Sequence, residues 1–101
     1  MVHIIDGNNL AGKLKMLGDQ NFSQRLSLII KDYCRAYRHR VILVFDGQDV
    51  MGERIQLSEW LELRRSPLDR RYRSADDYIL DLARRFAPAD QVFVITDDTG
   101  L

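Results

Sequence analysis

The chain has 101 residues, 46% apolar and 30% charged, the balance of one globular domain spanning residues 1–101, and it excludes disorder, fibrous repeats and two independent cores. Lys and Arg match Asp and Glu at 15 each, so the net charge is zero and any attraction for nucleic acid or anionic lipid has to be local. Cys34 is the only cysteine, which excludes an internal disulfide and a cysteine-built zinc site.

A reducing cytoplasm fits that cysteine usage. No run approaches the ~20 apolar residues of a membrane span, and the N-terminus lacks the basic-then-apolar layout of an export signal, so a soluble, cytoplasmic protein with no membrane partner is expected.

Val2 to Ile5 opens the chain as an apolar run rich in β-branched residues without polar alternation, which predicts a strand buried on both faces. Phe22, Leu26, Ile29, Ile30, Tyr33 and Tyr37 then recur at three- and four-residue spacing among charged residues, the pattern of an amphipathic helix crossing a sheet. Val41 to Phe45 reads as a second buried strand. Ser58 as N-cap and Ser66-Pro67 as stop predict a shorter helix from about Glu59 to Arg65, with Trp60 as its core anchor. Ile79, Leu82, Ala83 and Phe86 form another helical stripe, opened by Ser74 and closed before Pro88, and Val92 to Ile95 reads as a third strand buried on both faces.

Strand and helix alternate at lengths that imply right-handed crossovers. The expected fold class is α/β, a three-layer, doubly wound, Rossmann-like parallel sheet with helices on both faces. The chain reaches Leu101 directly after the third strand, where such a domain normally adds a helix and a strand, so either an unusually small sheet or a domain truncated at its C-terminus is expected.

Each apolar run is followed at once by acid: Asp6 after Ile5, Asp46 after Phe45, and Asp97 and Asp98 after Ile95-Thr96. A parallel sheet brings the carboxyl ends of its strands to one edge, where open α/β folds bind ligands, and the ~4.8 Å strand spacing sets neighbouring carboxylates about 5 to 10 Å apart. Ionised carboxylates so placed favour a bound cation. Asp76 and Asp77 add acid at a helix start; Ser74 with Asp77 reads as a capping box, which leaves Asp76 to serve the site.

Asp6-Gly7 and Asp46-Gly47 are also ordinary turn dipeptides, so the coincidence at three strand ends carries more weight than any single aspartate. Oxygen-only ligands suit Mg²⁺ or Mn²⁺, and His3 and His39 are not taken as ligands. Such ions cleave a phosphodiester through an activated water, without a protein nucleophile. Arg64, Arg65, Arg70, Arg71 and Arg73, with Tyr72 among them, could anchor the phosphates of a nucleic acid strand and stack on a base; the alternative is a solvated arginine face with Tyr72 packed inward.

These residues resemble the PIN-like nucleases, and within them the YacP-like branch of the NYN family. Ile4-Ile5-Asp6-Gly7-Asn8-Asn9 resembles the opening strand and its Asp-Gly-x-Asn turn, Val44-Phe45-Asp46-Gly47 the second-strand signature, Ser74-Ala75-Asp76-Asp77-Tyr78-Ile79 the Ala-Asp-x-x-Ile helix start, and Val94-Ile95-Thr96-Asp97-Asp98 the Thr-Ser-Asp strand end. The resemblance implies a PIN-like sheet and a divalent-metal ribonuclease acting on single-stranded RNA, with Asp6, Asp76 and Asp98 as metal-site acids, Asp46 and Asp97 nearby, and Asn9 as the supporting polar residue. Asp97 stands where a small polar residue is usual.

The expected function is therefore an endoribonuclease. A non-catalytic RNA-binding or assembly module on the same fold is the alternative, and an exposed sheet edge would suit a homodimer or a partner protein. A haloacid-dehalogenase-type phosphatase or a receiver domain fits less well, because position 8 is asparagine and no lysine follows the last strand.

Overall fold

A computed structural model describes residues 1–16, 18, 20–47, 49–69, 72 and 75–95. Among them are five strands, β1 (Val2–Asp6), β2 (Arg40–Phe45), β3 (Glu53–Gln56), β4 (Leu61–Arg65) and β5 (Val92–Ile95), and three helices, α1 (Gly7–Lys13), α2 (Phe22–Tyr37) and α3 (Ala75–Phe86). The strands form one sheet in the order β3-β4-β2-β1-β5. β1, β2, β4 and β5 are parallel, and β3 runs antiparallel to β4 along one edge.

The lack of polar alternation in β1 and β2 follows from layers on both faces. Ile5, Leu43 and Leu61 pack with Leu26, Ile30 and Cys34 of α2, while Ile4, Ile42 and Val44 pack with Ile79 and Leu82 of α3 on the opposite face. The three-layer, doubly wound α/β arrangement expected from the sequence is thus present, with a mixed rather than wholly parallel sheet.

The segment predicted as a helix from Glu59 to Arg65 is instead a turn and strand β4. Ser58 does act as a cap, but of a tight turn: its Oγ accepts the N–H groups of Trp60 and Leu61 at 3.3 and 3.1 Å, and the N–H of Leu57 donates to the Leu61 carbonyl at 2.9 Å, joining β3 to β4. Trp60 packs against the core beside this turn.

β4 alternates. Leu61 and Leu63 enter the core under α2, while Glu62 and Arg64 point to the other face and are nevertheless buried, their side chains 5% and 8% exposed. Glu62 Oε1 accepts from Arg64 Nε at 2.7 Å and from Arg54 Nε at 2.9 Å, and Arg40 approaches its second oxygen at 4.0 Å. Three guanidinium groups thereby neutralise one buried carboxylate. Glu62→Ala leaves Arg64 buried without its main anion and should cost about 3–5 kcal/mol in urea unfolding; an unchanged midpoint would refute that account.

At the amino-terminal edge, His3 stacks on Phe93 at 5.2 Å and meets His39 edge-on at 5.0 Å, and its Nδ1 is buried without a hydrogen-bond partner. Burial of the ring, and then the neighbouring His39, hold the His3 pKa below the ordinary 6.5. The folded state therefore binds this proton less readily than the unfolded state. Stability from this source is full above about 6.5 and is lost as pH falls from there through the lower folded value. His3→Phe should flatten the difference in unfolding midpoint between about pH 5 and about pH 7.5; an equal difference in both proteins would exclude His3 as its source.

Cys34 is wholly buried under α2, and burial pushes its thiol up.

Candidate functional site

The carboxyl edge of the sheet receives Asp6 as the last residue of β1, Asp46 immediately after β2 and Arg65 as the last residue of β4. α3 runs antiparallel to these strands. Its first turn lies by the end of β4, where Arg64 Nη1 donates to the Tyr78 hydroxyl at 3.4 Å, and its last turn lies by the start of β2, where the Arg40 guanidinium sits 5.1 Å from the Phe86 ring centre. Asp76 and Asp77, in the first turn of α3, are therefore on the same edge as Asp6 and Asp46.

Asp6 is 7% exposed, and its Oδ1 accepts the N–H of Asn9 at 3.0 Å, capping α1. Asn9, predicted to support this acid, does so here through its main chain. The other asparagine makes the longer connection: Asn8 Oδ1 accepts the N–H of Asp46 at 2.8 Å. The parallel pairing ends with Asp6 opposite Val44, and Asn8, in the first turn of α1, lies close enough to the end of β2 to reach the main chain of Asp46. Asn8 was not singled out from the sequence, where two adjacent asparagines give no sign of which one reaches the next strand.

Two glycines allow the strand ends to meet. A Cβ on Gly7 would come within 2.5 Å of the Phe45 ring, and one on Gly47 within 1.6 Å of the Ser66 carbonyl oxygen. Gly47 also donates its N–H to Ser66 Oγ at 3.2 Å, while the Ser66 N–H donates to the Phe45 carbonyl at 3.0 Å.

Beside this junction lies an open hollow of about 790 Å³ lined by Asn8, Asp46, Asp49, Glu53 and Arg65, among others. Asp49 and Glu53 were missed in the sequence, since only the return of β3 along β4 brings them to the edge. Hard oxygen donors such as Asp6, Asp46 and Asp76 match Mg²⁺ or Mn²⁺ in chemistry. Among the described residues, however, no three acidic, histidine or cysteine side chains converge closely enough to hold an ion. Asp97 and Asp98 lie outside the described residues, as do Arg70, Arg71, Arg73 and Ser74.

The predicted basic segment divides. Arg64 is turned inward to Glu62 and Tyr78 and is not available to a polyanion, which corrects its assignment to nucleic-acid binding. Tyr72 donates its hydroxyl to Asp81 Oδ2 at 2.6 Å and packs edge-to-face on Tyr78 at 5.2 Å, the inward alternative. Arg65 stays one-third exposed at the hollow, paired with Glu53 at 3.3 Å and placed 5.6 Å over the Phe45 ring.

The model of the YacP-like NYN domain matches residues 3–101, nearly the whole chain. The chain belongs to this family. NYN domains are generally nucleases, which sets the function class as nuclease-type and RNA-related. No curated protein and no solved structure matches the chain. Among the described residues no helix of this NYN domain is long and apolar enough to cross a membrane.

Gly47→Ala should force Ser66 and the end of β2 apart, costing about 1–3 kcal/mol in urea unfolding. An unshifted midpoint would show that the two segments separate freely.

Proposed function

We propose that this NYN domain is a divalent-metal-dependent endoribonuclease that cleaves single-stranded RNA at the carboxyl edge of its sheet. The observation that carries this reading is the Asn8–Asp46 hydrogen bond, which ties the segment after β1 to the end of β2. It holds the segments bearing Asp6 and Asp46 together, α3 brings its first turn with Asp76 to the same edge, and an acidic edge has little use for RNA unless a cation is bound there. Asp6, Asp46, Asp76, Asp97 and Asp98 are the proposed holders of Mg²⁺ or Mn²⁺, and Asn9 steadies Asp6. When bound, such an ion lowers the pKa of an attacking water and offsets charge on the phosphoryl oxygens.

The chain's own residues bind and orient. The Asn9 N–H engages one oxygen of Asp6 and so limits how that carboxylate can turn. Arg65, and with it Arg70, Arg71 and Arg73, is proposed to hold flanking phosphates. The β5 edge, where among the described residues no further strand pairs and Phe93, Val94 and Ile95 are exposed, is the proposed place for a second copy or a partner protein. The second reading is a non-catalytic RNA-binding or assembly module on the same fold.

Incubation of labelled single-stranded RNA with the purified protein in Mn²⁺ or Mg²⁺ should give internal cuts that disappear with EDTA and fall at least about a hundredfold in Asp6→Asn. Cleavage that survives both would refute a metal site built on Asp6. A folded protein that binds RNA but neither cleaves it nor takes up Mn²⁺ would establish the second reading.

A further inference from the structure

The hollow at the acidic edge does not end there. A second one, of about 500 Å³, continues from it between α2 and the β3–β4 hairpin, and the two share Ser23, Glu53 and Arg65. Their chemistry differs. The first sets Asp46, Asp49 and Glu53 against Arg65, an excess of negative charge that repels a phosphodiester without a cation. The second sets Lys31 and Arg65 against Glu53, with Leu28, Ile55 and Leu57 as apolar wall. Leu28 and Ile55 are both solvent-exposed, although a groove volume of this size is that of an ordinary ligand site.

Arg65 stands at the junction and is held from three sides. Nε pairs with Glu53 at 3.3 Å, Nη2 approaches Ser23 Oγ at 3.4 Å, and the guanidinium lies over the Phe45 ring. A guanidinium fixed this way keeps unused N–H donors for a phosphate and loses little side-chain freedom on binding.

We infer that this groove holds the stretch of single-stranded RNA next to the scissile bond, with a phosphate on Arg65 and Lys31 and a base against Leu28, Ile55 and Leu57. The inference rests on the RNA-cleaving reading and adds the path of the strand. RNA is favoured over an apolar peptide because the groove carries surplus positive charge and opens directly into the acidic hollow. A base lying on aliphatic rather than hydrogen-bonding walls is gripped through its face, so the groove discriminates weakly among bases.

The test is anisotropy of a short fluorescein-labelled oligouridylate, titrated with protein in EDTA so that binding is read without cleavage. Lys31→Glu reverses a charge on an exposed helix position, and Ile55→Trp fills the apolar wall without altering charge. Each should weaken binding about tenfold or more, and Lys31→Glu should also lower the salt slope by about one phosphate contact. Thermal unfolding of both variants confirms that they are folded.

If wild-type protein binds and cleaves RNA while both variants bind as wild type does, the groove assignment falls and the groove is left to a protein partner. If wild-type protein neither binds nor cleaves RNA, the RNA reading falls and the groove assignment with it. Asp6→Asn separates the two claims, since it should lose cleavage and keep binding.

Discussion

The parallel pairing of β1 with β2 is the constraint on which the site depends. Both strands are buried on both faces, so their register is held by packing above and below as well as by the ladder itself. With Asp6 opposite Val44, β1 and β2 end side by side, and the segments that follow are tied by the Asn8 side chain to the main chain of Asp46 rather than by contact between two carboxylates. A shift of one residue would turn Ile4 and Ile5 to the wrong faces, dismantling both cores together with the site.

The two faces of the sheet solve burial differently. Under α2 the layer is apolar, continuing across β4 through Leu61 and Leu63, and the buried Ser27 spends its hydroxyl on the Ser23 carbonyl within the helix. On the α3 face the apolar layer covers β1 and β2, and over β4 it gives way to Glu62 and its arginines. A buried carboxylate is tolerated there because several guanidinium groups reach it, and β3 is held to β4 by Arg54 as well as by the antiparallel ladder.

β1, β2, α2 and α3 were legible because each carries a periodicity set by burial: apolar runs for strands covered twice, and three- and four-residue stripes for helices covered once. β5 has the same kind of apolar run, but Phe93, Val94 and Ile95 are exposed, so the expectation of a strand buried on both faces is corrected there. β4 was misread for a physical reason. Its period-two pattern, Leu61 and Leu63 against Glu62 and Arg64, spans only five residues, and the stronger local signals, Ser58 and Pro67, are shared by helix ends and hairpin turns. α1 was missed because Gly7-Asn8-Asn9 has no apolar stripe and low helix propensity; Asp6 capping its first turn helps hold it. At the site, the acids at strand ends could be read from position alone, whereas Asn8 acts from the first turn of α1, a helix with no sequence signal of its own, and Asp49 and Glu53 depend on the return of β3. The inward turn of Arg64 could not be foreseen while β4 was read as helix.

Cys34 lies wholly inside the layer between α2 and the sheet, and its raised pKa keeps it in the unreactive thiol form. A thiol reagent can reach it only when α2 lifts away or the domain opens as a whole. The protein thus carries a single-site clock for opening of the helix that forms one wall of the groove, and its labelling rate reports the free energy of that opening without a probe having to be introduced.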